Sequence, residues 1–511
     1  METNHFLSLQ NGSDVRGVAS NGIAGEVVNL TPVIIKSIAL AFVSWLTEKT
    51  GKPASVLTIS VGRDSRISGP ELMSAFIEGI ISSGVQAVDC GIASTPAMYM
   101  STVFGETQYD GAVMLTASHL PFNRNGIKFF TKEGGLDKPD ITHILQRAAT
   151  VITPAFAAGT VTSFDLIALY SKFLVEKIRK EVNHPTHYPS PLTGFRIVVD
   201  AGNGAGGFFA EKVLQPLGAD TIGSQFLDPD GMFPNHIPNP ENATAMESIQ
   251  EAVIANKADL GIIFDTDVDR SAAVDHLGKS INRNDLIALI GAIVLEEHPG
   301  TSIVTDSITS DGLADFIEND LKGKHHRFKR GYKNVINEAL RLNAKGEECW
   351  LAIETSGHAA LKENHFLDDG AYLITKLLIK AARLRLEGGH TLLDLTARLR
   401  SPLESKEFRL KICVPDFKTY GNKVITELTD YVKTIPDWQI VPHNYEGIRV
   451  SCKGSSEQGW FLLRLSLHDP VIPLNIECDI SGGVAEIVQK LNVFLTQYSD
   501  TALDKTSLKA I

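Results

Sequence analysis

The 511-residue sequence is 43% hydrophobic and 21% charged, the balance of a folded globular chain of about three or four domains. Its formal net charge of −12 disfavours nucleic acid as a partner, because phosphate backbones select basic surfaces. No apolar run approaches the ~18 residues that a membrane span needs. Five scattered cysteines (Cys90, Cys349, Cys413, Cys452 and Cys478) form no C-x-x-C pair, which argues for a reducing compartment and against a zinc site or disulfide scaffold. Residues Met1 to Gln10 show neither a signal peptide nor transit character. The expectation is a soluble protein of the cytoplasm, or of the plastid stroma if a transit segment has been removed.

In chain order, Val56 to Val61 reads as a strand, Gly69 to Ser83 as a helix, and Ala87 to Cys90 and Ala112 to Leu115 as short strands. Such alternation predicts a mostly parallel sheet with helices on its faces. A polar stretch, Asn183 to Thr193, leads to a buried strand over Phe195 to Asp200, and the β/α pattern repeats to about Asp275. A third unit begins near Ile281, with a helix over Leu286 to Glu296, a strand over Ser302 to Thr305 and a long helix over Ala371 to Glu387. After about Ser401 the pattern becomes a smaller α+β domain. It has strands over Phe408 to Val414, Ile448 to Cys452 and Trp460 to Leu467, and a loop or hairpin turn over Gly454 to Gly459.

Two motifs carry chemistry. Asp265-Thr266-Asp267-Val268-Asp269-Arg270 places three carboxylates at alternate positions, directly after the apolar strand Leu260 to Phe264. Carboxylates on a tight turn can converge on a hard cation, and oxygen ligands suit Mg²⁺. Asp-rich turns are also common as solvated surface loops. An EF-hand is excluded, because its sixth and twelfth positions would fall on Arg270 and His276 rather than Gly and Glu. Thr116-Ala117-Ser118-His119-Leu120-Pro121, then Asn125-Gly126-Ile127-Lys128, follows the strand ending at Leu115. Ligand groups in α/β sheets sit at the carboxyl ends of strands, so Ser118 stands where a nucleophile is expected, although an isolated Ser there is more often part of a polar turn. The G-x-S-x-G elbow of serine hydrolases is absent.

T-A-S-H-x-P, N-G-x-K and D-x-D-x-D-R, in this order and separation, resemble the α-D-phosphohexomutase superfamily of phosphoglucomutases, phosphomannomutases and phosphoglucosamine mutases. The resemblance runs from about Asn11 to Glu477. It extends to Arg16-Gly17, to Gly62-Arg63-Asp64-Ser65-Arg66, to the loops Asp200 to Gly206 and Asp230 to His236, to Gly331-Tyr332-Lys333, to Glu354-Thr355-Ser356-Gly357-His358 and to Asp369-Gly370.

The resemblance implies three related mixed-sheet α/β domains (1–160, 161–280, 281–400) and a C-terminal α+β domain (401–511) around a central cleft. They would carry, in order, the phosphoserine, metal, sugar and phosphate loops. It implies a catalytic group of Ser118, Lys128, Arg16, His119 and Arg270, and one Mg²⁺ held by Asp265, Asp267, Asp269 and phospho-Ser118. Substrate would meet Lys333, Glu354, Ser356, His358, Arg464, Ser466 and His468. The implied reaction moves a phosphoryl group between the 1- and 6-positions of a hexose phosphate through a bisphosphorylated sugar, with hexose 1,6-bisphosphate as activator. A hexose phosphate is the expected partner, with no nucleic acid and no membrane, and the chain would act as a monomer or dimer. Taken alone, Lys128 also reads as an ordinary exposed lysine, and Glu354 with Ser356 as a capping box for a following helix.

Four positions depart from the family pattern. The final phosphate loop, typically R-x-S-N-T-x-P or R-P-S-G-T-E-P, is Arg464-Leu465-Ser466-Leu467-His468-Asp469-Pro470. It keeps Arg, Ser and Pro but substitutes Leu467 and His468. Leu120 stands where Asn often follows the catalytic Ser-His, and Tyr332 where some members carry His. These departures leave the sugar open. They keep two rival readings in view: a hexose-bisphosphate synthase or phosphatase on the same site, and a non-catalytic sugar-phosphate-binding protein.

Overall fold

Strand Gly111–Leu115 is buried along its whole length and lies inside the first sheet. A computed structural model describes residues 3–151, 159–466 and 469–509. Across the sheet the order is Gln10–Asn11, Asp14–Val18, Arg124–Thr131, Gly111–Leu115, Thr58–Arg63, Gln86–Ile92 and Val161–Ser163. Thr58–Arg63 runs parallel to both Gly111–Leu115 and Gln86–Ile92. Arg124–Thr131 is antiparallel to both Gly111–Leu115 and Asp14–Val18. The sheet is therefore mixed, not mostly parallel as the β/α alternation alone predicts. The chain returns through the short turn after Leu115 without a crossover helix, and only antiparallel strands can be joined that way.

Helix Pro32–Thr50 starts at Thr31, whose side chain accepts from the Ile34 amide, and stops at Gly51 with φ 70°. Its apolar residues Ile38, Phe42 and Leu46 pack with Leu72 and Phe76 of helix Gly69–Ile81 in the first core. Val56 belongs to a short 3₁₀ turn ahead of the strand rather than to the strand itself.

A second sheet pairs Ile197–Asp200 parallel with Leu260–Phe264, which then pairs antiparallel with Ser271–Asp275. The six residues 265–270 are the whole connection of that hairpin. Further along, the antiparallel pair Ala359–Leu361 and Leu367–Asp368 leads into helix Gly370–Leu386. These elements belong to one compact unit, residues up to Asn282 with Ser356–Asp394.

The other unit takes Arg283–Thr355 and the chain from Leu395. In it Ser302–Thr305 lies between parallel neighbours Lys324–Arg327 and Cys349–Ile353. Helices Arg283–Glu297 and Tyr332–Ala344 accompany them. An antiparallel sheet follows, in the order Trp438–Ile440, Ile448–Gly454, Glu457–Leu463, Val471–Cys478, Glu404–Ile412 and Leu503–Asp504. Of the loop or hairpin turn expected over 454–459, the structure has the hairpin, and it is tight. Gly454 pairs with Glu457, so only Ser455 and Ser456 turn, and the buried Glu457 is drawn into the strand by Trp438 and Lys490. Among the described residues no helix is long and apolar enough to cross a membrane.

Candidate active site

Ser118 takes φ 49°, the left-handed region that a non-glycine residue enters only at a cost of order 1–3 kcal/mol. The Thr116 hydroxyl accepts from the Ser118 amide at 2.9 Å and helps hold that geometry. The Ser118 hydroxyl, in a residue 8% exposed, donates to Asp265 Oδ2 at 3.0 Å and accepts from Arg270 Nη2 at 2.7 Å. His119 Nδ1 lies 3.4 Å from the same hydroxyl and 2.5 Å from Arg270 Nη2. Desolvation and the Arg270 and Arg16 guanidiniums disfavour a charged His119 ring.

The Asp turn is strained in the same way. Val268, fully buried and β-branched, takes φ 67° between two of the carboxylates, so the tight connection is imposed by the surroundings and not by local preference. The carboxylate oxygens of Asp265, Asp267 and Asp269 lie within 4.8 Å of one another, and all three residues are buried. Asp267 Oδ1 and Asp269 Oδ1 are buried without a hydrogen-bond partner among the described residues. Three converging acidic side chains with two unsatisfied oxygens fit a hard cation, so the cluster could hold Mg²⁺.

Charge around the triplet is compensated by cations. Lys128 Nζ donates to Asp269 and lies 3.2 Å from Asp267 Oδ2. Arg270 Nη2 pairs with Asp265 Oδ2 at 3.0 Å. Burial raises the Asp265 pKa well above the carboxylate range, and repulsion from Asp269 and Asp267 adds to this. Burial works in the same sense on Asp269, but Lys128, His358 and Arg270 outweigh it and hold that carboxyl below its ordinary value.

Arg16 sits on Asp14–Val18, where it donates to the Thr116 carbonyl at 2.7 Å and pairs with Asp14 at 2.7 Å. Its strand can lie so close only because its partner is Gly126. A Cβ there would strike the Val15 carbonyl, and it would stand 2.8 Å from Arg16 Cδ and 2.9 Å from the Thr116 carbonyl oxygen. His358 forms a backbone bridge with Arg270 and an ion pair with Asp368. Burial would pull the His358 pKa down, but Asp368 and Asp269 outweigh it and set it at about 9. Ser356 is buried beside the same loop, its hydroxyl without a partner among the described residues.

Of the catalytic and metal candidates, Ser118, Lys128, Arg16, His119, Arg270, Asp265, Asp267 and Asp269 thus gather at one place, with Ser356 and His358. The remaining substrate candidates lie in the other unit. Glu354 accepts from the Gly331 amide at 2.6 Å; no helix follows it, so it is not part of a capping box. Lys333 is the second residue of helix Tyr332–Ala344. Arg464 is buried, and burial, followed by the neighbouring Arg330, lowers its pKa. The Ser466 hydroxyl accepts from the Asp469 amide at 3.2 Å. His468 and Leu467 lie outside the described residues.

Sequence reasoning missed Thr95, whose hydroxyl donates to Asp267 Oδ2 at 2.5 Å. It missed Asp368, although that residue directly precedes the noted Asp369-Gly370 pair. It also missed Arg330, which neighbours Gly331 and lies 3.4 Å from Asp306.

A buried serine beside three convergent carboxylates, a lysine and an arginine offers the groups that phosphoryl transfer needs. Profiles described as phosphoglucomutase/phosphomannomutase alpha/beta/alpha domains I, II and III match residues 8–154, 170–278 and 282–400. A phosphomannomutase/phosphoglucomutase of Pseudomonas putida is 29% identical over 494 residues, covering 96% of this chain and 95% of that one. A phosphoglucosamine mutase of Erwinia tasmaniensis is 30% identical over 381 residues, covering 73% of this chain and 80% of its own. The crystal structure of a phosphoglucomutase/phosphomannomutase family protein from Burkholderia thailandensis superposes with a TM-score of 0.78 at 27% identity, covering 97% of this chain and 98% of that one. The chain belongs to the α-D-phosphohexomutase superfamily, within the phosphoglucomutase/phosphomannomutase family. By class it is a phosphohexomutase, an isomerase-type phosphotransferase.

Proposed function

We propose that the chain moves a phosphoryl group between the 1- and 6-positions of a hexose phosphate through a phosphorylated Ser118 and a hexose 1,6-bisphosphate. The observation that carries this is the Ser118 hydroxyl, buried and fixed between Asp265 Oδ2 and Arg270 Nη2. The reading also divides the chain into four domains, with breaks near 160, 280 and 400, each supplying one loop.

Asp265, Asp267 and Asp269, with a phosphoryl oxygen on Ser118, would hold one Mg²⁺. When bound, Mg²⁺ supplies Lewis-acid neutralisation of phosphoryl charge. The protein side chains do the rest. Arg270 reaches the serine oxygen and steadies charge on the phosphoryl group beside it. Arg16 extends that positive field from the neighbouring strand. In the forward step a sugar hydroxyl attacks phosphorus, a new P–O bond forms and the bond to Ser118 Oγ breaks. The sugar hydroxyl loses one proton and Ser118 gains one, so the step is proton-neutral. Lys128 and His358 would take and return that proton. The bisphosphate then turns over and returns its other phosphate to Ser118. Glu354 and Ser356 would bind sugar hydroxyls, and His358 would also meet the sugar. Lys333, Arg464, Ser466 and His468 would bind the phosphate that is not reacting.

The test is intact-mass detection of phosphate on Ser118 after incubation with hexose 1,6-bisphosphate, joined to coupled assays on glucose, mannose and glucosamine phosphates. Mg²⁺-dependent mutase turnover with a phosphorylated Ser118 is expected, and the preferred sugar is read from the relative kcat/KM values. Mutase turnover that persists in Ser118→Ala with bisphosphate present would overturn the proposal.

A further inference from the structure

Two sequence motifs have no part in the chemistry above: Gly62-Arg63-Asp64-Ser65-Arg66 and the loop Asp230 to His236. They meet at one buried side chain. Arg66 is fully buried, and its guanidinium points into the turn that carries Ser118. Nη2 donates to the carbonyls of Ser118 and of Leu120, the latter at 2.6 Å. Nη1 donates to the carbonyls of Pro121 and Arg124 at 2.7 and 2.9 Å. Nε faces Asp64 Oδ2 at 3.2 Å, and Asp64 Oδ1 accepts from the Arg66 amide at 3.0 Å. Four of the five N–H groups of one planar fork therefore hold the backbone of a single loop. Lysine, with three donors on one atom, cannot span those four carbonyls.

The four carbonyls belong to the turn that contains the strained residue. Ser118 stays at φ 49° only if its surroundings over-determine it, and its own carbonyl is one of the Arg66 acceptors. The loop from Asp230 closes the other side. A Cβ on Gly231 would strike the Ile67 amide and stand 2.5 Å from the Ser65 carbonyl oxygen, so this backbone lies directly on the 65–67 turn. Phe233, itself at φ 50°, places its ring 5.3 Å from the Arg66 guanidinium. Asn235 ties the loop down through Asn203 at 2.7 Å.

We propose that Arg66 is the positioning residue of the nucleophile, fixing the Ser118 turn through its four carbonyls, and that Phe233 seals the guanidinium from water. The inference rests on the phosphoserine reading of Ser118. A displacement of the reacting oxygen by about 1 Å is enough to cost about 100-fold in rate, and ground-state binding of the sugar elsewhere is left alone.

The full-length protein is charged with hexose 1,6-bisphosphate, and phosphate on Ser118 is followed by intact mass over time. Arg66→Lys is expected to charge about 100-fold more slowly and to lose kcat by a similar factor, with KM for the hexose phosphate within about 3-fold of the parent. A parent that takes no phosphate removes both readings. A charged parent with an equally competent Arg66→Lys overturns this inference alone, as does a loss that only tracks the unfolded fraction. If Arg66→Lys does not fold, Phe233→Leu carries the test, because it leaves every polar group of the turn in place. Charging slowed about 10-fold at unchanged KM supports the proposal, and charging at the parental rate overturns it.

Discussion

Ser118 and Asp265 are separated by 147 positions in the chain, yet Ser118 Oγ stands 3.0 Å from Asp265 Oδ2. One residue follows the strand Gly111–Leu115 and the other opens the hairpin after Leu260–Phe264. The contact joins a candidate nucleophile to a candidate metal ligand, so each gives the other a chemical meaning that neither has alone.

Ser118→Ala is expected to abolish mutase turnover, a fall of at least about 1000-fold. The fold should survive, since the hydroxyl partners Asp265 and Arg270 remain paired with each other. A thermal melt beside the coupled assay separates the two effects. A parental melt with no turnover is the expected pair of results.

Asp267→Asn tests the acidic turn. Without a cation, three buried carboxylates repel one another, and that repulsion contributes to the raised Asp265 pKa. Removing one charge should leave the melting temperature in chelator no lower than that of the parent. The rise in melting temperature on adding Mg²⁺ should shrink, because binding to the native state stabilises in proportion to affinity. The Mg²⁺ concentration for half-maximal activity should increase at least about tenfold. An unchanged Mg²⁺ requirement would remove Asp267 from the ligand set.

How much of this was legible in the sequence follows from distance along the chain. Leu260–Phe264 and Ser302–Thr305 have the bounds their apolar runs predict, because a buried strand writes its pattern locally. The Asp triplet and the Ser118 turn were visible for the same reason. Thr95 was not, since its partner Asp267 is 172 positions away and a lone Thr after a strand carries no signal. Arg66 was visible as part of a motif, but the four carbonyls it holds lie 52 to 58 positions on, and backbone acceptors have no residue identity to read. The antiparallel return at Arg124–Thr131 was missed because the β/α rhythm around it predicts crossovers, and a short turn overrides that rhythm.

Asp368→Asn tests how His358 is held. Asp368 is the largest favourable influence on the His358 charge, ahead of Asp269. The His358 pKa is raised from 6.5 to about 9 in the fold, so its contribution to stability is full below about pH 6.5 and is lost as pH rises through about 9. The variant should lose stability at pH 7 and show a flatter stability profile between pH 7 and 10. Its kcat should fall about tenfold if His358 shares the proton transfer. Asp368→Glu should recover part of both. A parental pH profile in Asp368→Asn would show that Asp368 does not set the His358 charge.

Glu477, which belongs to the other compact unit from the candidate metal ligands, gives a pH dependence of its own. It is 8% exposed and its Oε2 accepts from Trp460 Nε1 at 3.0 Å. Burial pushes its pKa from 4.5 to about 7, against the opposing pull of Arg449, whose guanidinium lies 3.6 Å from the Trp460 ring centroid. A carboxyl with a raised folded pKa binds more proton in the native state than in the unfolded chain. Stability therefore falls as pH rises from about 4.5 to about 7, by an amount on the order of 3 kcal/mol, and stays reduced above that. Glu477→Gln keeps an oxygen for Trp460 and removes the titration. Its urea-unfolding free energy should match that of the parent near pH 4.5 and exceed it near pH 8. Equal differences at the two pH values would mean that Glu477 is already ionised in the native protein, held there by Arg449.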